Sequence, residues 1–432
     1  MAELMRINRG YRYELRPSRA QRDLFVRCAG AARFTYNWAL QERIRRFEDR
    51  EGADRFVGNF QQGNDLRTLK RTTCPWLKEI PSSVPEHALD DVHRAFRNLT
   101  LRKRAGRPGG FPQFKRRGVD DRFRLRGWIK IGATHITLPK IGRVRSKEDV
   151  VVEGKVNFVT VSREADRWYV SINVEQDDLP DPAPVQGPVV GVDLGLKTFA
   201  TISDDHGDRQ HVIAPKPFAK ALKLIQRLSR WTSRKERIVD PEGHRRNSNN
   251  RRKAQMRLAR QHRRVKNIRS NFLHETTTML TRTKSIIVLE DLSVSEMLKN
   301  RKLARYVADA GFMEFRRQLE YKARWYGSKV VTVDRYFASS QICSACGARK
   351  PMPISERTYK CDCCGLVLDR DDNAADNLAR QALVAGRSDT AMLAGINACG
   401  DWEVHAKPLR RVGAGARTAK QEVPLSRRQR GR

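Results

Sequence analysis

Five of the eight cysteines in this 432-residue sequence lie close together near its C-terminal end. Cys343 and Cys346 form one C-x2-C pair, Cys361 and Cys364 form a second, and 14 residues separate the pairs. Four thiolates in two such knuckles can surround one tetrahedral zinc ion without leaving a position open for catalysis. The spacing therefore predicts a structural zinc site. Cys363 is an additional thiol beside the second pair, and the spacing favours Cys364 over it as the fourth ligand.

Acidic residues stand at three places where a carboxylate needs an explanation. Asp193 interrupts the apolar segment VVGVDLG, and Glu290 ends the apolar segment IIVLE. A carboxylate in an apolar strand is costly unless a cation accompanies it. Three more acids, Asp369, Asp371 and Asp372, stand at the start of a predicted helix. Together these carboxylates are candidates for holding Mg²⁺, which can activate water and stabilise the leaving oxygen of a phosphodiester.

Each of these acids also has a structural explanation. Asp193 could orient a turn, Glu290 could face solvent, and the aspartates could cap a helix. Spacing alone leaves a divalent-metal nuclease site and a coincidence equally open.

The surrounding pattern predicts helices followed by strands in the first half of the chain. Ser18 and Gln21 form a capping box that opens a helical region reaching about residue 103. Segment 122–176 alternates apolar and polar residues between turn residues, which predicts a β-sheet. The Pro-rich, acidic segment 177–188 is predicted to be a linker.

The charge balance indicates a nucleic-acid partner. The sequence has 86 Lys and Arg against 49 Asp and Glu, a net charge of +37, and self-repulsion on this scale favours a polyanionic partner. Segment 216–270 carries 19 Lys and Arg against three acids, which favours contact with phosphates. Loop 103–118 interleaves Phe with Lys and Arg, so it could stack on bases or bury its rings.

A membrane partner is not expected. No run approaches the ~18 consecutive apolar residues that a spanning helix needs, and the first residues lack the apolar stretch of a secretory signal. We therefore expect a cytoplasmic protein of a bacterium or archaeon.

In this order, the segments GVDLGLKTFATIS, VLEDLSV, CSACG, CDCCG and DRDDNAADN resemble the TnpB (OrfB) family encoded by insertion sequences, which is related to type V CRISPR effectors. The segments YRYELRPSRAQ, RFTYNWAL and GFPQFKRRG are also similar, so the resemblance covers residues 8–380. It implies an RNA-guided DNA endonuclease that hydrolyses target DNA with Mg²⁺ next to a short flanking motif.

The resemblance also assigns roles to individual residues. Asp193, Glu290 and Asp371 match the three catalytic, magnesium-binding acids of the family. Asp372 and Asp376 stand where the family usually has other residue types, which is a departure from its pattern. The residues that match the zinc ribbon are Cys343, Cys346, Cys361 and Cys364.

The fold that the resemblance implies is an α+β multidomain chain. It would contain a β-barrel-like wedge, a helical recognition lobe and a RuvC-like nuclease domain of the RNase H type. A four-cysteine zinc ribbon would be inserted into the nuclease domain. One chain would bind one guide RNA, and base pairing would read the target DNA as an RNA–DNA heteroduplex with a displaced strand. The expected boundaries are 1–15 for the first wedge strand, 16–110 for the lobe, 111–183 for the wedge barrel, 184–338 for the nuclease, 339–368 for the ribbon, 369–385 for the last nuclease helix and 386–432 for a basic disordered tail.

Four alternatives stay open beside this interpretation. A compact type V CRISPR effector has the same parts, and an RNase H-type transposase also uses three acids and Mg²⁺. An RNA-guided DNA-binding repressor would keep the fold but lose the acids, all three of which are present. A plain zinc-ribbon nucleic-acid binder leaves Asp193 and Glu290 unexplained. A tyrosine transposase is disfavoured because none of the nine histidines forms a His-x-His pair.

Overall fold

The computed structural model describes residues 5–49, 58–179, 182–235, 237–239, 245–353 and 356–386. The predicted basic tail lies outside these ranges apart from Gly386, with which the last helix ends. Within the described part of the chain, no helix is both long enough and apolar enough to cross a membrane.

The N-terminal half of the chain builds a seven-stranded antiparallel sheet around its first strand. Its strands are β1 (Met5–Arg16), β2 (Arg122–Leu125), β3 (Lys130–Gly132), β4 (His135–Leu138), β5 (Gly142–Ser146), β6 (Lys155–Glu164) and β7 (Arg167–Leu179). Their order in the sheet is β2-β6-β7-β1-β5-β4-β3. Leu179 pairs with Met5, so the strand extends to residue 179 and the predicted linker begins later than expected. The pairing of Leu179 with Met5 keeps the end of β7 in the sheet.

Three helices accompany this sheet. They are α1 (Arg19–Asp49), α2 (Asn59–Arg71) and α3 (Ser83–Arg104). Of these, α1 and α3 pack on the sheet and α2 packs on α3. The predicted capping box is confirmed, because the Ser18 amide donates to Gln21 Oε1 at 3.0 Å and the Gln21 amide donates to Ser18 Oγ at 3.3 Å. Phe25 of α1 is fully buried, and its ring lies 5.1 Å from that of Trp168 in the sheet. The apolar face of α1 therefore closes one core.

The second half of the chain forms a mixed five-stranded sheet. Its strands are β8 (Val190–Leu194), β9 (Ala200–Asp204), β10 (Arg209–Val212), β13 (Ile286–Glu290) and β14 (Lys329–Val333), while β11 (Arg237–Val239) and β12 (Arg245–Asn247) form a separate hairpin. The order is β10-β9-β8-β13-β14. The first three strands are antiparallel, and β13 runs parallel to both β8 and β14.

Helices cover both faces of the five-stranded sheet. They are α4 (Pro217–Ser233), α5 (Asn249–Thr283), α6 (Val294–Met297), α7 (Ala304–Ala310), α8 (Phe312–Tyr326) and α9 (Arg370–Gly386). Along β13, Ile287 and Leu289 pack in the core formed with α5 and α8. The residue between them, Val288, packs against Leu378 of α9. Side chains alternate between the two faces of a strand, so β13 contributes apolar side chains to both cores.

Helix α9 lies directly on the backbone of β8. A Cβ atom placed on Gly191 would come within 2.1 Å of the carbonyl oxygen of Ala375 and 2.3 Å of the amide nitrogen of Ala379. These distances are far below contact distance, so the close approach of helix and strand requires glycine at this position.

A small cysteine-rich unit lies in sequence between β14 and α9. It contains the hairpin of β15 (Thr358–Lys360) and β16 (Val367–Asp369). Gly347 and Gly365, which directly follow the two knuckles, have φ angles of +77° and +73°. This is the left-handed region in which glycine is favoured, and it allows the chain to turn around the sulfurs.

Charged contacts join the two sheets. The turn between β6 and β7 carries Glu164 and Asp166, and it meets the basic helix α5. Asp166 accepts from Arg260 and Arg263 at 2.9 and 2.7 Å, and Glu164 accepts from Lys266 at 2.6 Å.

Candidate active site

Two of the predicted acids lie side by side at the ends of neighbouring parallel strands. In β8 and β13, Val192 is opposite Leu289, so continuing the register by one residue brings Asp193 opposite Glu290. Since Val190 and Val192 face the core of α5 and α8, alternation turns Gly191 and Asp193 toward α9. The same alternation places Glu290 on the side of Val288, which also faces α9. Both carboxylates therefore lie on the α9 face of the sheet.

Helix α9 brings the third acid to this face. Asp369 precedes the helix, and its Oδ1 accepts from the amide of Asp371 at 2.8 Å. This is the bond of an N-terminal capping residue, which is the structural explanation that the sequence offers for these aspartates. Asp371 lies in the first turn of the helix, and its Oδ1 is 3.5 Å from Arg357 Nη1.

The charges of the other two acids act on the buried carboxyl group of Asp193. The pKa of Asp193 is raised from 3.8 to about 8. Burial is the largest cause, and the negative charges of Glu290 and Asp371 are the next two, while Arg370 opposes them. Carboxylates that repel one another in this way are stabilised by a shared cation.

Asp372 faces away from this site although it is the neighbour of Asp371. Its Oδ1 lies 3.4 Å from Nε2 of His211 on β10. One turn later, Asp376 accepts from Arg209 at 2.7 Å and from Ser203 Oγ at 2.6 Å. Of the two residues that depart from the family pattern, Asp376 thus fastens α9 to β9 and β10, whereas Asp372 lies beside β10.

The second acid has a hydroxyl partner that the sequence did not reveal. Ser339 donates a hydrogen bond from Oγ to Oε1 of Glu290. It lies in a short 3-10 turn, Ser339–Gln341, between β14 and the cysteine unit. Arg357 at Asp371 was missed as well, because it is 14 residues from that acid and no local pattern links the two.

The cysteine unit brings four thiols together. The candidate ligand atoms of Cys343, Cys346, Cys361 and Cys364 all lie within 4.8 Å of one another, and Cys363 is exposed outside this group. Sulfur–sulfur distances are 3.6 Å between Cys343 and Cys364 and 3.5 Å between Cys346 and Cys361. A tetrahedral zinc ion with bonds of about 2.3 Å separates its sulfurs by about 3.8 Å. The donor set and its spacing therefore fit zinc.

The thiols of this unit differ in pKa without metal: although the amide of Leu366 opposes the shift, burial and hydrogen bonds with the other three cysteines raise the pKa of Cys364 to about 12. The backbone amides of Cys364 and Cys363 donate to the sulfur of Cys361 and lower its pKa to about 6. The thiolate is the form that binds metal.

The carboxylate site fits a different kind of metal. Among the described residues, the four cysteines are the only group of three or more potential ligands that all lie within 4.8 Å of one another. The three carboxylates are therefore more widely spread. Carboxylate oxygens are ligands that suit Mg²⁺.

Basic surfaces extend from the two sheets. On α5, Arg252, Lys253 and Arg264 are exposed, and Trp231 of α4 lies 5.2 Å from the guanidinium of Arg257. A cleft of about 390 Å³ opens between α1, α3 and β2. Its lining includes two acids, Asp91 and Asp120, which pair with several of its five cations. These cations are Arg33, Arg94, Lys115, Arg122 and Arg124.

The Phe-containing loop, residues 103–118, lies beside this cleft. Its phenylalanine rings are neither fully buried nor fully exposed. Phe111 packs edge-on against Phe96 of α3 with ring centroids 5.6 Å apart, yet Phe111 and Phe114 both stay about half exposed. Asn37 of α1 pairs with the backbone of Lys115 through bonds of 3.0 and 2.7 Å, which fixes the loop on the helix.

Three family models match separate parts of the chain. Residues 5–52 match a model described as a helix-turn-helix domain of OrfB from IS605, and residues 169–301 match the OrfB model described as "Probable transposase". Residues 312–378 match the model described as "Cas12f1-like, TNB domain". The last match spans the cysteine unit and the start of α9.

Full-length relatives are similar over nearly the whole chain. The "Putative RNA-guided DNA endonuclease InsQ" of Escherichia coli K12 is 33% identical over 420 residues, which cover 93% of this chain and 96% of that protein. A Streptomyces pristinaespiralis protein named "Putative RNA-guided DNA endonuclease" is 33% identical over 404 residues and 92% of either chain. A Mycobacterium tuberculosis relative of the same description is 32% identical over 411 residues, covering 86% of this chain and 85% of that protein.

Solved structures align with the chain at low identity. A Cas12f1–sgRNA–target DNA complex aligns over 87% of this chain and 100% of that chain, with 13% identity and a TM-score of 0.33. The mini-RNA-guided endonuclease Cas_phi3 aligns over 88% of this chain and 92% of that chain, with 10% identity and a TM-score of 0.42.

Proposed function

Because the chain belongs to the TnpB (OrfB) family of proteins encoded by insertion sequences, we propose that it is an RNA-guided DNA endonuclease that cuts target DNA beside a short flanking motif. The observation that carries the proposal is the convergence of Asp193, Glu290 and Asp371 on one face of the five-stranded sheet. A repressor without nuclease activity would have no use for this arrangement.

The proposed chemistry is hydrolysis of a phosphodiester by a RuvC-like site. Asp193, Glu290 and Asp371 would hold Mg²⁺, which when bound supplies Lewis-acid stabilisation of the charge that develops on the phosphate. The side chains themselves do the positioning. Ser339 fixes one oxygen of Glu290, Asp369 fixes the first turn that carries Asp371, and Arg357 partly neutralises Asp371.

We assign the remaining parts to structure and to nucleic-acid binding. Zinc held by the four cysteines would maintain the fold of the unit that connects β14 to α9. The exposed cations of α5 and the basic cleft beside α1 would contact phosphates of a guide RNA and of the RNA–DNA heteroduplex. In such a system base pairing reads the target sequence, and the protein reads backbone shape and the flanking motif.

The test is reprogrammed cleavage. The full chain is purified from cells that also carry the adjacent end of its genetic element, and the copurifying RNA is sequenced. The guide segment of that RNA is then replaced, and a plasmid library with a matching target beside randomised flanks is incubated with the complex and Mg²⁺. We expect cleavage only where target and flank both match, and none with Asp193→Ala. Equal cleavage by RNA-free protein would contradict the proposal.

A further inference from the structure

We propose that Ser339 is a positioning residue for the catalytic carboxylate of Glu290 and that helix α9 holds it in place through two buried asparagines. The inference rests on the proposed function, because it assigns Glu290 to metal binding. It adds a residue from the segment before the cysteine unit to the nuclease site.

The contact between Ser339 and Glu290 has a defined direction. Ionised Glu290 can only accept, so Ser339 Oγ must donate its hydrogen to Oε1. A hydrogen bond to a charged oxygen is about twice as strong as one between neutral groups. Since Ser339 is 4% exposed, water does not compete freely for this bond. With one oxygen fixed, the rotation of the carboxylate is restricted and Oε2 is left for a metal ion.

Two asparagines of α9 hold the segment that carries Ser339. Asn377 Nδ2 donates to the carbonyl oxygens of Ser339 at 2.8 Å and of Ile342 at 2.7 Å. Asn373 Nδ2 donates to the same Ile342 oxygen at 2.7 Å, and its Oδ1 accepts from the amide of Ser344 at 2.9 Å. Asn373 and Asn377 are 0% and 4% exposed.

The spacing of these asparagines explains why one helix can do this. Residues four apart lie on the same face of an α-helix, so both amides meet the same stretch of backbone. Asp371 belongs to the first turn of that helix. Helix α9 therefore fixes two of the three carboxylates, Asp371 directly and Glu290 through Ser339.

The expected contribution of Ser339 is to metal affinity. Partners that orient metal ligands typically change affinity or activity by about 10–100-fold when they are removed. Ser340 provides a matched control, because its Oγ accepts from Arg370 at 3.3 Å and it is the immediate neighbour of Ser339 in the same turn.

The experiment compares Ser339→Ala with Ser340→Ala in the zinc-loaded, RNA-bound full chain. Binding of Mn²⁺ is measured by electron paramagnetic resonance without target DNA, with Asp193→Ala defining the background. The Mg²⁺ dependence of cleavage is then measured for the same proteins. We expect Ser339→Ala to weaken Asp193-dependent Mn²⁺ binding and to raise the half-saturating Mg²⁺ concentration about 10-fold or more. Its cleavage rate should recover substantially at saturating Mg²⁺, and Ser340→Ala should stay within about two-fold of wild type.

Zinc content and thermal midpoint are recorded for each variant. Unchanged Mn²⁺ affinity in Ser339→Ala overturns the inference, and so does a loss of affinity accompanied by lost zinc or by a lower midpoint, which would make the residue structural. Absence of an Asp193-dependent Mn²⁺ site in the wild type also overturns it. Because Mn²⁺ binding needs no guided cleavage, a wild type that binds Mn²⁺ but does not cut refutes the proposed function alone.

Discussion

At the scale of single residues, Asp371 and Asp372 are neighbours in the sequence, but their side chains point to different parts of the molecule. Consecutive helical residues point about 100° apart. Asp371 raises the pKa of Asp193, whereas Asp372 faces His211 across the sheet edge. Only one of the two can therefore serve the carboxylate site.

We predict that Asp371→Ala abolishes cleavage and that Asp372→Ala retains most of it. Binding of guided DNA should be nearly unchanged in both, because affinity comes mainly from contacts with phosphates. Asp193→Ala and Glu290→Ala should behave like Asp371→Ala. Cleavage and binding are measured at equal RNA loading, and an active Asp371→Ala protein would show that the third acid is misassigned.

The raised pKa of Asp193 leads to a prediction about pH. In the unfolded chain this carboxyl ionises near its ordinary pKa of 3.8, while in the folded chain without Mg²⁺ it holds its proton to about pH 8. The unfolded state therefore gains stability by losing this proton as pH rises from 4 to 8, and the folded state does not.

We expect Asp193→Asn to be more heat-stable than the wild type at pH 8 in buffer free of divalent ions, by a few degrees. The difference should shrink toward pH 4, where the wild type has no such penalty. Thermal unfolding of both proteins across this pH range measures the effect. A difference that is constant with pH would exclude Asp193 as its source.

At the scale of elements, the packing of α9 on β8 determines whether the third acid reaches the other two. The contact depends on the missing side chain of Gly191, whose Cβ would collide with backbone atoms of Ala375 and Ala379. Backbone cannot move aside as a flexible side chain can. The helix would have to shift as a whole.

We therefore predict that Gly191→Ala lowers the thermal midpoint and reduces cleavage by at least about 10-fold through displacement of Asp371. Gly63→Ala is the matched control, because Gly63 lies in α2 with no atom within 4 Å of an added Cβ. This control should be neutral or slightly stabilising, since alanine favours helix. Full activity in Gly191→Ala would contradict the role of this contact.

The cysteine unit supplies the second prediction at this scale. Cys361→Ser should lose zinc and destabilise the unit, because removing one thiolate from a closed site removes folding free energy along with the metal. Cys363→Ser should keep one zinc per chain, since the four clustered thiols exclude Cys363. Zinc is quantified by mass spectrometry of the purified chain. Loss of zinc from Cys363→Ser would mean that this cysteine, not Cys364, is a ligand.

The elements also show what the sequence can and cannot predict. Asp193 and Glu290 were detectable because an acid in an apolar strand breaks a regular pattern, and the cysteine knuckles because their spacing is local. Ser339 and Arg357 were not detectable, because each meets its partner acid only after distant segments fold together. The β11–β12 hairpin was missed within the basic segment, since its residues, such as Arg237 and Arg245, carry no apolar alternation. The matches to the family models confirmed the resemblance to TnpB. The role of Asp371 came from that resemblance and not from a local sequence pattern.

At the scale of the whole molecule, the chain has a net charge of +37, and some of its cations form ion pairs with acids of the same chain. One such group of ion pairs joins α5 to the end of β6 and the turn that follows it: Arg260 and Arg263 pair with Asp166, and Lys266 pairs with Glu164. These contacts join the two sheets. The exposed cations along the same helix remain available for phosphates.

We predict that the chain copurifies with a structured RNA and that its affinity for that RNA falls steeply with salt. For 6–10 phosphate contacts, the loss is about 10³–10⁵-fold between 50 and 200 mM salt. Filter binding of the RNA-stripped chain over this range measures the slope. A nearly flat dependence would show that the basic surfaces do not bind nucleic acid.

The position of the cysteine unit between β14 and α9 has a consequence for biosynthesis. When the ribosome has completed β13, the nascent chain contains Asp193 and Glu290 but not Asp371, which follows about 80 residues later. At roughly 5–20 residues per second, several seconds separate these events. The segment made in that interval contains Ser339 and all four clustered cysteines. The last acid can therefore join the other two only after the cysteine unit has been translated.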